Sequence, residues 1–143
     1  MALTKLVKTI DINAPVTKVW DTVVKPESSK EWLSVTMPGS HMDGDYALGS
    51  EVFYKSADDS GVKGTVKELV LNETIYVEYF ESYTKGVKDD SAEWVGSSDR
   101  YTFSENNGVT TLTQESSFPE QYMDDFNSMI SKSLEKIKEI AEK

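Results

Sequence analysis

Residues 119–143 read PEQYMDDFNSMISKSLEKIKEIAEK, and the fold follows from the spacing of their apolar positions. At about 100° per residue, Tyr122, Met123, Phe126, Met129, Ile130, Leu134, Ile137, Ile140 and Ala141 fall within one arc of roughly 140°. Asp124, Asn127, Ser128, Ser131, Glu135, Lys138, Glu139 and Glu142 occupy the opposite face. This is an amphipathic helix. Ser117-x-x-Glu120 has the pattern of a capping box, and Pro119 suits a helix start. From Pro119 onward such a helix spans on the order of 35 Å, enough to cross a whole sheet. Burial of its large apolar side chains contributes about 1.5–3 kcal/mol each as an upper bound, so the helix requires a sheet face to cover.

The upstream sequence supplies that sheet. Leu3 to Ile12 alternates, with Leu6, Lys8, Ile10 and Ile12 set against Lys5, Val7, Thr9 and Asp11, the pattern of a strand. Asn13 is placed to cap a helix with Pro15 in its first turn, and Val16, Val19, Trp20, Val23 and Val24 form a helical stripe. Lys25-Pro26 stops that helix, and Ser28 to Leu33 forms a second short one that presents Trp32 and Leu33 to the core. Val35 to Tyr46 contains Pro38-Gly39 and Asp43-Gly44-Asp45 and reads as loop. His41 falls in it and is expected to be solvent-exposed. Strand signals then recur over 49–56, 62–71, 74–83, 100–105 and 109–116. Asn106-Asn107-Gly108 marks a hairpin, because Asn and Gly accept positive φ. The stretch from Thr84 to Asp99 is polar apart from Trp94. The expected architecture is α+β: a curved antiparallel sheet of about six strands wrapped on a long C-terminal helix, with two short helices after the first strand, as a single domain over 1–143.

Composition narrows the function. Fifteen Lys and Arg stand against 25 Asp and Glu, a net charge of −10. That balance repels phosphate backbones and anionic head groups, so neither nucleic acid nor membrane is an expected partner. The chain has no cysteine and a single histidine, His41, which removes disulfides, thiolate sites, multi-His metal sites and Cys-His catalysis. No metal or other cofactor is expected. The first residues alternate and carry lysines without a signal-peptide apolar region, so the expected location is cytoplasmic. Asp43-x-Asp45 begins like a calcium loop, but Leu48 and Tyr54 stand where glycine and the final ligand are needed. No phosphate-binding glycine loop or nucleophile elbow occurs.

Three segments carry a resemblance. They are Ile10-Asp11-Ile12-Asn13-Ala14-Pro15-Val16-Thr17-Lys18-Val19-Trp20 with Pro26-Glu27 and Trp32, then Gly64-x-Val66-x-Glu68-Leu69 with Glu73-Thr74-Ile75, and Gly108 to Thr113. Together they resemble the SRPBCC (START-like, helix-grip) superfamily, and within it the domain at the C-terminus of activators of the Hsp90 ATPase. Two positions depart from that pattern: Gly49-Ser50 stands where a Gly-Gly pair is usual, and Met129-Ile130 where Gly-Trp is usual. The resemblance implies a cavity between the concave sheet face and the C-terminal helix. Its implied functions are binding of a small apolar or amphipathic ligand, cofactor-independent chemistry like that of polyketide cyclases and aromatases, or interaction with a chaperone. Of these, ligand binding is the leading expectation, and catalysis is not the favoured one. The expected assembly is a monomer or weak homodimer.

The expected cavity residues are Trp32, Tyr54, Val66, Glu68, Val77 and Tyr79, with Trp94, Arg100, Tyr101 and Phe103 on later strands and loops. Phe126, Met129 and Ile130 come from the helix. Gly64 either leaves room for a ligand or relieves a bend. On strict alternation Val62, Gly64, Val66, Glu68 and Val70 share the inner face. There Glu68 would act as a proton-transfer group or ligand anchor. Its alternative is a place at the sheet rim, solvated or paired with Arg100 or a lysine. Arg100, the only arginine, is suited to a carboxylate partner or an anionic ligand. Trp94 would serve as a lid over the cavity mouth.

Overall fold

The computed structural model describes residues 3–35, 39–89 and 95–143. The chain runs β1 (Leu3–Ile12), α1 (Val16–Val24), α2 (Pro26–Ser34), β2 (His41–Gly44), β3 (Glu51–Lys55), β4 (Gly61–Val70) and β5 (Thr74–Thr84). It continues through β6 (Val87–Lys88), β7 (Ser98–Asn106), β8 (Val109–Pro119), a single 3-10 turn (Glu120–Tyr122) and α3 (Met123–Ala141). All strand pairs are antiparallel. The order across the sheet is β1-β8-β7-β5-β4-β3-β2, with the two-residue β6 beside β5. The sheet is curved and unclosed, and α3 lies along its concave face: a helix-grip fold. Six strands match the alternating segments of the sequence. The other two, β2 and β6, are short and sit in stretches whose Gly and Asp content masks them. His41 thus opens a strand, opposite Lys55, and is half-buried.

The core forms where three apolar stripes meet. Val19, Trp20 and Val23 of α1 and Ile137 and Ala141 of α3 pack with Ile12, Phe103 and Leu112 of the sheet. The β7–β8 turn is two residues long, with Asn107 at φ 53° and Gly108 at φ 82°, the paired positive values such a hairpin needs.

Two helix starts differ from the sequence reading. Asn13 does not cap α1; Glu105, from the β7–β8 hairpin, accepts the Val16 N–H at 2.6 Å. Pro15 occupies the cap position with no side-chain bond of its own, so the orphan N–H is met from a distant strand. Ser117 does not open α3 either. It pairs with Lys5 on one side and Ser98 on the other. Two strand ladders outweigh one side-chain cap, and the helix begins at Met123.

Among the described residues no helix is long and apolar enough to cross a membrane.

Candidate functional site

The two halves of α3 pack differently. Ile130, Ser133, Leu134, Ile137 and Ala141 are buried, whereas Met123, Phe126 and Met129 are only half-buried. Under that N-terminal half lies a pocket of about 200 Å³. Phe126, Met129, Ile130 and Ser133 wall it from the helix, and Trp32 and Leu33 from α2. Tyr54, Val62, Tyr79, Tyr101 and Gln114 come from the strands, and Ser97, Ser98, Asp99, Ser116 and Ser117 complete it.

Asp99 is the centre of the site. On β7 it alternates inward with Tyr101 and Phe103, and it sits opposite Val77 on β5 and Ser116 on β8. Tyr79 donates its hydroxyl to Asp99 Oδ2 at 2.6 Å. Gln114 Nε2 donates to Oδ1 at 3.2 Å, and the Ser116 hydroxyl donates to the same oxygen. Asp99 keeps some exposed surface and lines the pocket, and among the described residues no basic side chain pairs with it. Desolvation raises its pKa above the ordinary carboxylate value, and the three hydrogen bonds hold it back only in part. Gln114 must point its NH₂ at the carboxylate, because the reverse would set two acceptors against each other.

Phenols surround this group. The hydroxyls of Tyr46 and Tyr54 are hydrogen-bonded to each other. The rings of Tyr54 and Tyr79 meet edge-on at 6.1 Å, as do Trp32 and Tyr101 at 6.4 Å. Burial first, then the Asp99 charge, pushes the Tyr79 and Tyr101 pKa values well above the usual phenol value. Burial also raises that of Tyr54. At neutral pH all three rings are therefore neutral. The Trp32 indole N–H is committed to Thr22 O at 3.1 Å. Two buried oxygens of the wall, the Gln114 Oε1 acceptor and the Ser97 hydroxyl, have no hydrogen-bond partner, an unusual state for groups withdrawn from water.

The sequence-expected residues divide into three groups. Trp32, Tyr54, Tyr79, Tyr101, Phe126, Met129 and Ile130 come together around the pocket. Val66, Val77 and Phe103 face the same side but are packed into the closed core, 0%, 1% and 5% exposed. Trp94 lies outside the described residues. Glu68 and Arg100 are on the other face. The ladder between β4 and β5 slips between Val66 and Glu68, leaving Lys67 without a counterpart. The extra residue of this bulge reverses the alternation. Leu69 then packs on the core, while Glu68 and Val70 turn outward. Glu68 accepts from Arg100 Nη1 at 2.7 Å, and the guanidinium lies 4.3 Å from the Tyr76 ring centroid. The hydrogen bond from Arg100, with its charge, lowers the Glu68 pKa. The alternative of an exposed pair with Arg100 is the arrangement present.

A second slip, between Lys63 and Gly64, gives Gly64 its role. A Cβ there would stand 2.8 Å from Tyr79 Cδ1 and 2.7 Å from Glu78 O. The glycine admits the Tyr79 ring against the strand, so the open space is used by the protein itself. Asp99, Gln114 and Ser116 are the residues that sequence reasoning missed. Their signals were Asp99-x-Tyr101-x-Phe103, and two polar residues on the inward phase of a strand that also carries Leu112 and Phe118.

Comparison with known proteins places the chain. The family model described as "Activator of Hsp90 ATPase homolog 1-like protein" matches residues 13–142. The chain belongs to this family. It shares its fold with several solved structures. The solution structure of the Aha1 dimer from Colwellia psychrerythraea superposes with a TM-score of 0.76 at 16% identity, over 97% of this chain and 96% of that one. Protein MLL2253 from Mesorhizobium loti gives 0.74 at 18% identity, over 96% of each chain. DynU16, from the dynemicin biosynthetic locus, gives 0.73 at 14% identity, over 94% of this chain. The chain spans 46% of DynU16's length. No curated protein matches the sequence. At these identities the family's fold is common ground, and function must be argued from the pocket.

Proposed function

We propose that this domain binds a small amphipathic molecule in the pocket beneath the N-terminal half of α3. One observation carries the reading: among the described residues, a carboxylate held by neutral donors stands in an aromatic wall beside a buried amide oxygen and a buried hydroxyl that have no partner. Such groups cost stability in a closed core, and a ligand that completes their hydrogen bonds offsets that cost. The half-buried Met129 suits a wall that adapts to its occupant. Native mass spectrometry of gently purified protein should reveal a noncovalently bound small molecule. Extraction of that molecule should lower the melting temperature, and adding it back should restore it. Protein that always flies empty, together with a lipid and aromatic library that shifts no melting curve, would remove the proposal.

Asp99 also favours a second reading, cofactor-independent proton transfer on a bound substrate. A carboxyl whose pKa is raised by burial, within hydrogen-bond reach of a phenol, is a general acid–base pair. That Asp99→Asn abolishes turnover of a bound substrate without weakening its binding is the outcome this second reading requires.

A further inference from the structure

Among the described residues the pocket wall carries one formal charge, the negative charge of Asp99, and no Lys, Arg or His lines it. In sequence, residues 90–94 read Asp-Ser-Ala-Glu-Trp and residues 36–38 read Thr-Met-Pro, and neither segment contains a basic side chain. Arg100, next to Asp99 in sequence, points to the opposite face and is tied to Glu68.

The hydrogen-bond balance has the same sign. An ionised carboxylate offers about four acceptor positions, and Asp99 uses three. Gln114 spends both amide hydrogens, on Asp99 and on Ser116 Oγ at 3.3 Å, and keeps Oε1 unpaired at 6% residue exposure. Ser97 Oγ, in a residue 1% exposed, is also unpaired. The Tyr79 and Trp32 donors are already spent. The hydroxyls of Tyr101, Ser98, Ser117 and Ser133 can give or accept, so Asp99 and Gln114 set the surplus, which is of acceptors.

We infer that the pocket takes a ring-sized amphipathic amine, its protonated nitrogen held by Asp99 and Gln114 Oε1 and its apolar body packed against Trp32, Tyr101 and Phe126, and that it rejects carboxylates and phosphates of the same size. An ammonium brings donors and no acceptor, which matches the surplus. Its charge is also attracted to the faces of aromatic rings. An anion would be buried beside Asp99 without a counter-charge. The volume fits one ring with a short substituent, since a cavity of about 150 Å³ admits benzene.

The inference rests on the ligand-binding reading, and a matched series separates the two. Phenethylamine, 2-phenylethanol and phenylacetate share a ring and differ in the polar end. In ¹H–¹⁵N NMR titrations at pH 7, phenethylamine should bind about tenfold or more tightly than 2-phenylethanol, a gap of about 1.4 kcal/mol. It should shift the Gln114 side-chain amide and the amides of Asp99 and Tyr101, while phenylacetate leaves them unmoved. Asp99→Asn, with a dispersed spectrum, should bring the amine down to the affinity of the alcohol. Equal binding of amine and alcohol, tighter binding of the acid, or an amine affinity unchanged in Asp99→Asn would overturn the amine assignment and leave ligand binding standing. Failure of all three probes to shift any pocket residue would overturn both.

Discussion

Two carboxylates stand on the two faces of the same sheet. Glu68, Tyr76 and Arg100 form a row across β4, β5 and β7 on the outer face, where the acid meets a guanidinium and open water. Asp99 lies on the inner face, in the next row with Val77 and Ser116, among phenols and an amide. The outer acid is held ionised by an opposite charge, and the inner one is kept from ionising easily by its surroundings. An exposed pair is cheap to make and contributes little. A buried lone carboxylate is costly, and on the proposed function a bound ligand offsets that cost. The difference between the faces is thus the difference between surface chemistry and a site.

The largest effect should come from placing a carboxylate on the inner face without Asp99's donors. Val66 is fully buried. Val66→Glu should cost at least about 3 kcal/mol in chemical denaturation, the scale of an unpaired buried charge. A stable variant would show the inner face to be wetter than the structure has it.

Asp99→Asn should act in the opposite direction at neutral pH, raising stability by about 1 kcal/mol, the scale of one relieved buried polar group, while amine binding falls. The pH dependence has a defined sign. A carboxyl whose folded pKa lies above its unfolded value of about 4 contributes most at acid pH and loses that contribution as pH rises through the folded midpoint. The stability gap between Asp99→Asn and the parent should therefore widen from acid to neutral pH, and a gap that narrows would contradict the assignment.

Glu68→Gln should do least. Its pKa is lowered by Arg100, so what it contributes is present above the ordinary carboxylate value and lost as pH falls through the depressed midpoint. Melting at neutral pH should change little, and the small difference should vanish in high salt. A large, salt-independent loss would mean that the outer pair is a structural element.

Much of this was legible in the sequence. The helical stripe of α3 and the alternating strands follow from periodicities of 3.6 and 2, which survive burial because only one face of each element meets the core. Tyr79, Tyr101, Phe126 and Met129 were found by that logic. Strict alternation puts Glu68 on the inner face, and the alternative, an outer pair with Arg100, forms instead for a local reason. Alternation counts residues, and the bulge at Lys67 adds one without a composition signal. Asp99 escaped because it ends a polar stretch and opens a strand, so its partnership with Tyr101 and Phe103 was not counted. Its donors come from β5 and β8, one of them 20 residues away in sequence.

The most direct test follows both acids in one experiment, by titrating side-chain carboxyl ¹³C shifts with pH. Asp99 should titrate above the ordinary aspartate value and Glu68 below the ordinary glutamate value, and saturating phenethylamine should move the Asp99 midpoint down while leaving Glu68 in place. An Asp99 that titrates at or below 4, with no response to the amine, would contradict the claim that the inner face holds a desolvated carboxylate awaiting a ligand.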